Sequence, residues 1–354
     1  MKAMIMAAGV GSRLMPLTMQ IPKPMVPMVN KPLMEIIVEV LHEHGFNNII
    51  ANLHYHADII EDYFGIGSQF GVNMSYSMEP ELLGTAGGTK NCEWFLDDTF
   101  VIVSGDALTD IDLTKLLAAH KKNGALATIA LKQVEEVEHF GVVVTDEEGK
   151  ISRFQEKPRP EEALSNLANT GIYIFEPEIF KTIPSKQFYD FGKQVFPHLV
   201  KIGAPFYGVK IDDYWCDIGN LETYRQAHSD ILEGRVRVSN KGNIITNSTG
   251  KALVGKGSVI GSEVKLQGNV VLGPECVVED GAVVKDSVIW ANTTIKSNAI
   301  VENCILGQDC SVGRYSQIKP GAVIASGCKL EDNIDINLGQ KVFNQVADYN
   351  INQG

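Results

Sequence analysis

A short loop near the start of the chain concentrates residue types that bind phosphate. An apolar run over residues 2–7 leads into Gly9 and Gly11, and Arg13 and Lys23 follow. Glycines let a backbone approach phosphate oxygens closely, and N–H groups at the following turn bind anions. Two fixed positive charges beside such a loop suit a polyphosphate whose charge must be stabilised during phosphoryl transfer. The loop therefore predicts a nucleotide site.

A dinucleotide-binding fold is the alternative for a glycine pair that follows a strand. Its G-x-G-x-x-G fingerprint needs a third glycine, and Leu14 stands in that place. Each cation taken alone is more often a solvated surface residue. The nucleotide interpretation therefore depends on the loop and both cations together.

The elements expected around this loop are those of an α/β domain with a largely parallel, mixed sheet. Leu33, Ile37, Val40 and Leu41 fall on one helical face, and Gly45 follows as a plausible C-cap. Apolar runs predict strands at 2–7, 48–51, 100–103, 125–131, 141–144 and 171–175, and a further helix is predicted at 113–122.

From about Lys251 the sequence changes to a six-residue rhythm. Each unit places two side chains inward, as a triangular parallel β-helix requires. The rhythm slips at Trp290, Ile295 and Ile300, which lie five apart and indicate shortened turns or an inserted loop. The predicted inward positions are Val254, Ile260, Leu266, Leu272, Val278 and Val284, then Leu306, Val312, Ile318, Ile324 and Leu330, with partners four residues on at Ser258, Val264, Val270, Cys276, Ala282 and Val288.

Composition narrows the possible partners. The 354 residues favour two domains, and 44% hydrophobic with 21% charged residues is ordinary globular composition. A net charge of −12 without a basic run argues against a nucleic-acid partner. The sequence shows no run of about 20 apolar residues, so we expect no membrane partner and a cytoplasmic location.

The motifs after the loop resemble those of the nucleotide-sugar pyrophosphorylases, also called sugar-1-phosphate nucleotidyltransferases, and look most like mannose-1-phosphate guanylyltransferases. The signature of a glycine loop, R-L, P-L-T and P-K-P spans residues 9–24. Further similar elements are L-G-T-A-G at 83–87, S-G-D at 104–106, E-K-P at 156–158, N-T-G at 169–171 and W-C-D-I-G at 215–219. The match extends along most of the chain.

The resemblance implies a role for each matched residue, as well as a Mg²⁺ cofactor. Arg13, Lys23 and Asp106 would be catalytic, and Asp106 with Asp217 would hold Mg²⁺. The nucleotide would bind Ala7, Ala8, Gly9, Gly11, Ser12, Arg13, Lys23, Gly84, Thr85, Ala86 and Asp106, and the sugar phosphate Gly141, Glu156, Lys157, Asn169 and Thr170.

The substrate pair implied by the 79–88 stretch is GTP with mannose 1-phosphate, since thymidylyl enzymes tend to carry a base-contacting Gln there. Uridylyl or thymidylyl transfer to glucose 1-phosphate is the alternative.

Hexapeptide β-helices also occur in acetyltransferases, but those generally use a histidine base, and no histidine follows His228. The sequence argues against a non-catalytic regulatory subunit, because two sets of residues are intact. These are the metal-binding carboxylates Asp106 and Asp217 and the phosphate-binding cations Arg13, Lys23 and Lys157.

The resulting prediction is a Rossmann-like mixed-sheet nucleotidyltransferase domain followed by a left-handed parallel β-helix. The catalytic domain is predicted at 1–233, a linker at 234–250, the β-helix at 251–335 and a tail at 336–354. We expect the β-helix to mediate a homo-oligomer.

Overall fold

The computed structural model describes residues 1–246 and 248–344. The chain divides into two compact units. The first, here the sheet unit, comprises Met1–Val10 and Ile37–Asp217. The second, here the repeat unit, comprises Gly11–Ile36 and the chain from Ile218 onward.

The helices are α1 (Leu33–Glu43), α2 (Ala57–Phe64), α3 (Gly84–Asn91), α4 (Leu113–Lys122), α5 (Phe196–Lys201) and α6 (Leu221–Glu233). The strands up to residue 217 are β1 (Lys2–Met6), β2 (Pro27–Met28), β3 (Lys31–Pro32), β4 (Asn48–Leu53), β5 (Asn73–Met78), β6 (Phe100–Ser104), β7 (Ala107–Thr109), β8 (Ala127–Gln133), β9 (Gly141–Thr145), β10 (Ile151–Glu156), β11 (Leu167–Phe175), β12 (Phe206–Lys210) and β13 (Trp215–Asp217).

A mixed sheet forms the centre of the sheet unit, as predicted. Its order is β10-β9-β11-β6-β1-β4-β5, and β8 pairs with both β11 and β12. Strand β1 runs parallel to β4 and β6, whereas β11 runs antiparallel to β6. Buried side chains such as Met4, Ile50 and Ile102 pack in its core. The carboxyl ends of β1 and β6 therefore meet at one edge, where α/β sheets place ligands.

Helix α4 could be predicted from its local sequence pattern. Asp112 caps the helix by accepting a hydrogen bond from the Lys115 backbone N–H at 3.0 Å. Leu113, Leu116 and Leu117 are buried on one face. The predicted bounds, 113–122, are confirmed.

The strands that follow in the repeat unit are β14 (Asn243–Thr246), β15 (Lys251–Val254), β16 (Val259–Ile260), β17 (Lys265–Gln267), β18 (Val270–Leu272), β19 (Val277–Val278), β20 (Val283–Lys285), β21 (Val288–Ile289), β22 (Thr294–Ile295), β23 (Ile300–Glu302), β24 (Ile305–Leu306), β25 (Ser311–Val312), β26 (Gln317–Ile318), β27 (Val323–Ile324), β28 (Asp335–Ile336) and β29 (Lys341–Val342). They stack in the orders β14-β15-β18-β21-β24-β27-β29, β16-β19-β22-β25 and β17-β20-β23-β26-β28. The pairs after β15 are parallel, the arrangement of a β-helix.

The interior of the β-helix differs from the prediction where the rhythm slips. Ile289 and Val301 point into the core, and the predicted Ile300 is exposed. Trp290 is buried outside the interior column, where its indole N–H contacts Tyr224. The five-residue steps are shortened turns between Val284 and Ile289 and between Val301 and Leu306. They shift the inward position by one residue.

The first coil also departs from the predicted pattern. Ile260 lies in the first strand of its sheet, and its side chain is 37% exposed. By contrast Cys276, a predicted inward position, is buried in the interior, as are Cys310 and Cys328. An end coil has a neighbour on one side only, so its inward positions receive less cover.

Residues 11–36 fold onto α6 and the first coils of the repeat unit. The Tyr224 hydroxyl donates to the Pro27 carbonyl and accepts from Trp290 Nε1 at 3.0 Å. The amide of Asn30 donates to the Leu272 carbonyl at 2.9 Å. This segment follows the predicted phosphate loop directly, so its position depends on β-helix residues.

Two short strands lie in segments outside the predicted domains. Strand β14 lies in the predicted linker, and β29 lies in the predicted tail. Part of that tail, residues 345–354, lies outside the described residues. None of the helices in the described part of the chain combines the length and apolar character of a membrane span.

Candidate active site

Asp106 lies where β6 and β1 end side by side. Ser104 is paired with Met6 in the parallel register, and the Gly105 N–H donates to the Met6 carbonyl at 2.8 Å. A Cβ on Gly105 would lie 2.6 Å from that carbonyl oxygen, so glycine is required at this close approach. The Ser104 hydroxyl donates to Asp106 Oδ1 at 2.5 Å, which orients the carboxylate.

A short antiparallel ladder brings Asp217 to the same place. Strand β13 pairs with β7 so that Asp217 is opposite Ala107, the residue after Asp106. Both carboxylates line one cavity of about 200 Å³. Residues distant in the chain thus converge because both flank the same two-stranded ladder.

The same cavity collects the residues predicted to hold the sugar phosphate, and we call it the sugar pocket. Asn169 and Thr170 enter it from β11, where the Thr170 hydroxyl donates to the Ala130 carbonyl at 2.7 Å. Trp215 Nε1 donates to the Thr170 carbonyl at 2.9 Å, and the Trp215 ring meets the Phe140 ring edge-on at 5.3 Å. Its lining is Ser104, Asp106, Ala107, His139, Phe140, Gly141, Glu156, Lys157, Asn169, Thr170, Gly171, Tyr173, Trp215 and Asp217.

Glu156 and Lys157 occupy the end of β10 at this pocket. Lys157 has a positive φ of 46°, and its N–H donates to the Phe140 carbonyl at 3.1 Å. Burial, and secondly the charge of Asp190, raise the pKa of Glu156, while Lys157 and Lys193 oppose that rise. A carboxylate and an ammonium group adjacent in one cavity suit hydroxyl and phosphate recognition respectively.

A second cavity of about 260 Å³ shares Ser104 and Asp106 with the first, and we call it the nucleotide pocket after the predicted nucleotide ligands Gly9, Gly84 and Thr85 in its lining. At its base the Asn52 amide donates to Glu79 Oε1 at 2.7 Å and accepts from the Ala7 N–H at 2.9 Å. The Leu83 N–H donates to the other oxygen of Glu79 at 3.1 Å. The lining residues are Met6, Ala8, Gly9, Asn52, Glu79, Leu82, Gly84, Thr85, Ser104, Asp106 and Phe188.

The remaining predicted phosphate ligands belong to the repeat unit, where Gly11 and Lys23 are in contact. Gly11 has a φ of 70°, and a Cβ there would lie 2.7 Å from Lys23 Cβ. The Thr18 hydroxyl donates to the Gly11 carbonyl at 2.9 Å and closes the loop. Ser12 and Arg13 are exposed on the intervening turn. Gly11 is thus required by backbone conformation and by packing, whereas a Cβ on Gly9 would meet no atom within 4 Å among the described residues.

Two models of known families match this chain. One described as Nucleotidyl transferase matches residues 2–234, which is more than half of the chain. The chain belongs to the nucleotidyl transferase family. A model described as GMPPB C-terminal domain matches residues 248–346 of the same chain. The family predicted from the motifs is confirmed.

Relatives of this nucleotidyl transferase carry the names of sugar-1-phosphate nucleotidyltransferases. A UTP–glucose-1-phosphate uridylyltransferase of Synechocystis is 44% identical over 80% of this chain and 81% of its own length. A mannose-1-phosphate guanylyltransferase of Mycobacterium tuberculosis is 31% identical over 76% and 79%, respectively. A Bacillus anthracis structure, provisionally named a glucose-1-phosphate thymidylyltransferase, has a TM-score of 0.61 and 26% identity, and the match covers 68% of this chain and 97% of that one.

Six of the predicted nucleotide contacts line neither cavity, namely Gly11, Ser12, Arg13 and Lys23 of the repeat unit and Ala7 and Ala86 of the sheet unit. Ala86 is buried in the core, and Ala7 is buried with its N–H directed to Asn52. Conversely, the motifs did not single out Asn52, Leu82 or Phe188, which do line the nucleotide pocket. The only sequence signal for Phe188 was an apolar residue in a polar loop.

Proposed function

We propose that the chain joins a sugar 1-phosphate to a nucleoside triphosphate by in-line attack of the sugar phosphate oxygen on the α-phosphorus. Pyrophosphate leaves and a nucleotide sugar forms. The attacking phosphate is already anionic at neutral pH, so positioning and charge neutralisation supply most of the catalysis. The observation that carries the proposal is that the two pockets meet at Asp106.

Each pocket takes one substrate in this proposal. Lys157 binds the sugar phosphate. Glu156 accepts hydrogen bonds from sugar hydroxyls, and the Asn169 amide donates hydrogen bonds to them. Gly84 and Thr85 flank the nucleobase. Arg13 and Lys23, on the glycine loop, neutralise the nucleotide phosphates. Their guanidinium and ammonium groups are suited to phosphate oxygens.

Mg²⁺ is the proposed cofactor, and Asp106 and Asp217 are the residues that would hold it. Two carboxylates at one edge of a cavity fit a hard cation that prefers few protein ligands together with phosphate oxygens and water. In residues 1–246 and 248–344, no group of three or more His, Cys, Asp or Glu side chains forms a metal cage. When bound, Mg²⁺ would offset charge on the phosphates.

GTP with mannose 1-phosphate is the proposed substrate pair. This pair is supported by the resemblance of residues 79–88 to the guanylyltransferases and by the 31% identity to the Mycobacterium tuberculosis guanylyltransferase.

UTP with glucose 1-phosphate is the second candidate. It is supported by the 44% identity to the uridylyltransferase, which exceeds the 31% identity to the guanylyltransferase. The two sugars differ in the orientation of one hydroxyl group, and several polar side chains line the sugar pocket.

One assay tests the reaction and both pairs. Purified enzyme is incubated with Mg²⁺ and each of GTP, UTP and dTTP against mannose and glucose 1-phosphates, and released pyrophosphate is measured. We expect the highest kcat/KM for GTP with mannose 1-phosphate. A higher value for UTP with glucose 1-phosphate would replace this pair by the second candidate, and lack of pyrophosphate with every pair would refute the proposed reaction.

A further inference from the structure

Residues 187–192 form a segment of the sheet unit that belongs to none of the recognised motifs. The Tyr189 N–H donates to the Leu83 carbonyl at 2.8 Å, and the Ala86 and Gly87 N–H groups both donate to the Tyr189 carbonyl at 3.0 Å. A Cβ on Gly87 would lie 2.7 Å from the Gln187 carbonyl oxygen. The segment thus lies in backbone contact with the start of α3, and glycine is needed for that approach.

Phe188 extends from this segment to the rim of the nucleotide pocket. Its side chain is 58% exposed, and that of Leu82 on the same pocket is 43% exposed. A Cβ on Gly84 would lie 3.1 Å from the Phe188 ring, so the ring packs over that glycine. A large apolar ring exposed at the rim of a cavity is the surface that a planar base covers by stacking.

Asp190 connects the same segment to both pockets. Its Oδ2 accepts from the Thr85 hydroxyl at 2.9 Å, and Thr85 Oγ1 accepts from the Phe191 N–H at 2.9 Å. Its Oδ1 accepts from the Lys193 N–H at 3.1 Å, which caps the π-helical turn Phe191–Val195. π-helical turns of this kind frequently accompany functional sites.

Gly192 brings this turn against the sugar pocket. A Cβ there would lie 2.4 Å from Glu156 Oε2 and 3.4 Å from Asp190 Oδ1. The backbone that Asp190 caps is therefore packed directly against the carboxylate of Glu156. A shift of this turn would move one wall of the sugar pocket.

We propose that residues 188–192 are a support shared by the two substrate pockets. In this segment Phe188 contacts the nucleobase, and Asp190 is a positioning residue that holds Thr85 and the turn beside Glu156. The inference rests on the proposed function, because it assigns the two pockets to the two substrates. It predicts that Phe188 affects one substrate and Asp190 affects both.

Phe188→Ala tests the nucleobase contact. We expect the KM for the nucleotide to rise about tenfold, since stacking area is lost, while the KM for the sugar 1-phosphate stays within about twofold. Phe188→Tyr keeps the ring and should restore the nucleotide KM. Trp94→Ala is the matched control, because Trp94 is 68% exposed and does not line either pocket. An unchanged nucleotide KM in Phe188→Ala would overturn the contact.

Asp190→Ala and Thr85→Val test the positioning role. Each should raise the KM for both substrates at least fivefold, and the double variant should lose much less than the product of the single losses. Thr85→Ser keeps the hydroxyl and should raise both KM values less than Thr85→Val does. If Asp190→Ala does not fold, as judged by its melting transition, the Thr85→Val and Thr85→Ser pair decides.

The outcomes separate this inference from the proposed function. A wild-type enzyme that forms no pyrophosphate would overturn both. Normal wild-type turnover combined with a Thr85→Val effect confined to the nucleotide KM would overturn the shared support alone.

Discussion

Tyr224→Phe removes one hydroxyl group from the interior of the repeat unit. That hydroxyl is buried, donates to the Pro27 carbonyl and accepts from Trp290 Nε1 at 3.0 Å. The substitution leaves a buried carbonyl and a buried indole N–H without this partner. Each such loss costs about 1–3 kcal/mol, so for the two groups together we expect the free energy of unfolding to fall by about 2–6 kcal/mol. The melting temperature should fall by about 5 °C or more.

Chemical and thermal unfolding, followed by tryptophan fluorescence and circular dichroism, measure this loss. Trp290→Phe removes the indole donor, and a double-mutant cycle with Tyr224→Phe should give a coupling energy of about 0.5–3 kcal/mol. Tyr315→Phe is the control, since Tyr315 is 61% exposed and should change stability by less than about 0.5 kcal/mol. A Tyr224→Phe protein as stable as the wild type, or strictly additive losses, would refute the bridge as a stabilising element.

Further predictions concern substrate binding, metal, pH and the repeat unit. Lys157→Ala should raise the KM for the sugar 1-phosphate at least tenfold with a smaller change for the nucleotide, because one substrate loses its counter-charge; steady-state kinetics with each substrate varied in turn will check this. Asp106→Asn and Asp217→Asn should each lower kcat at least a hundredfold and raise the Mg²⁺ requirement, with non-additive losses in the double variant. Burial lowers the pKa of His228 to about 3, so the folded state resists a proton that the unfolded chain takes up below about pH 6.5. The free energy of unfolding should therefore decrease as the pH is lowered, by about 2 kcal/mol between pH 6.5 and 5, and denaturation of wild type and His228→Gln at both pH values measures that share. Truncation after Glu233 should change the number of subunits per particle in light scattering, whereas Trp290→Phe should not; an unchanged subunit number in the truncated protein would count against assembly through the β-helix.

Regular elements could be predicted from the sequence where one face is apolar and the ends carry turn residues. Helix α4 met both conditions, through its three buried leucines and the Asp112 cap. Strands β1 and β6 were found because parallel strands buried on both faces appear as continuous apolar runs. A general rule places ligands at the carboxyl ends of such strands, whereas the assignment of Asp106 itself came from the resemblance of S-G-D at 104–106.

The β-helix interior could be predicted except where a turn is shortened. Where a turn is one residue shorter, apolar residues occur at neighbouring positions of the repeat. Ile300 and Val301 are therefore equally apolar candidates for the inward position. Parallel pairing decides between them, since Val301 stacks between Val284 and Ile318. Register of this kind depends on neighbouring coils and is not contained in one coil's pattern.

The pocket residues that motifs missed share a physical cause. Phe188 and Asp190 lie about a hundred positions after the helix they contact, in a loop without periodicity. Their positions depend on glycines in α3 that admit a backbone carbonyl. The glycines were visible as a possible nucleotide motif, whereas the segment that packs on them was not.

Within the repeat unit, residues 11–36 contact the β-helix in a way that local sequence patterns could not predict. The chain after Lys23 is held by the Leu272 carbonyl through Asn30, and by Trp290 through Tyr224. Because these partners come from the first coils of the β-helix, a change there alters the support of residues 11–36. An assembly role for the β-helix therefore cannot be tested by deletion alone. Substitution of Trp290, which leaves the exposed coil faces intact, separates support of the phosphate loop from assembly.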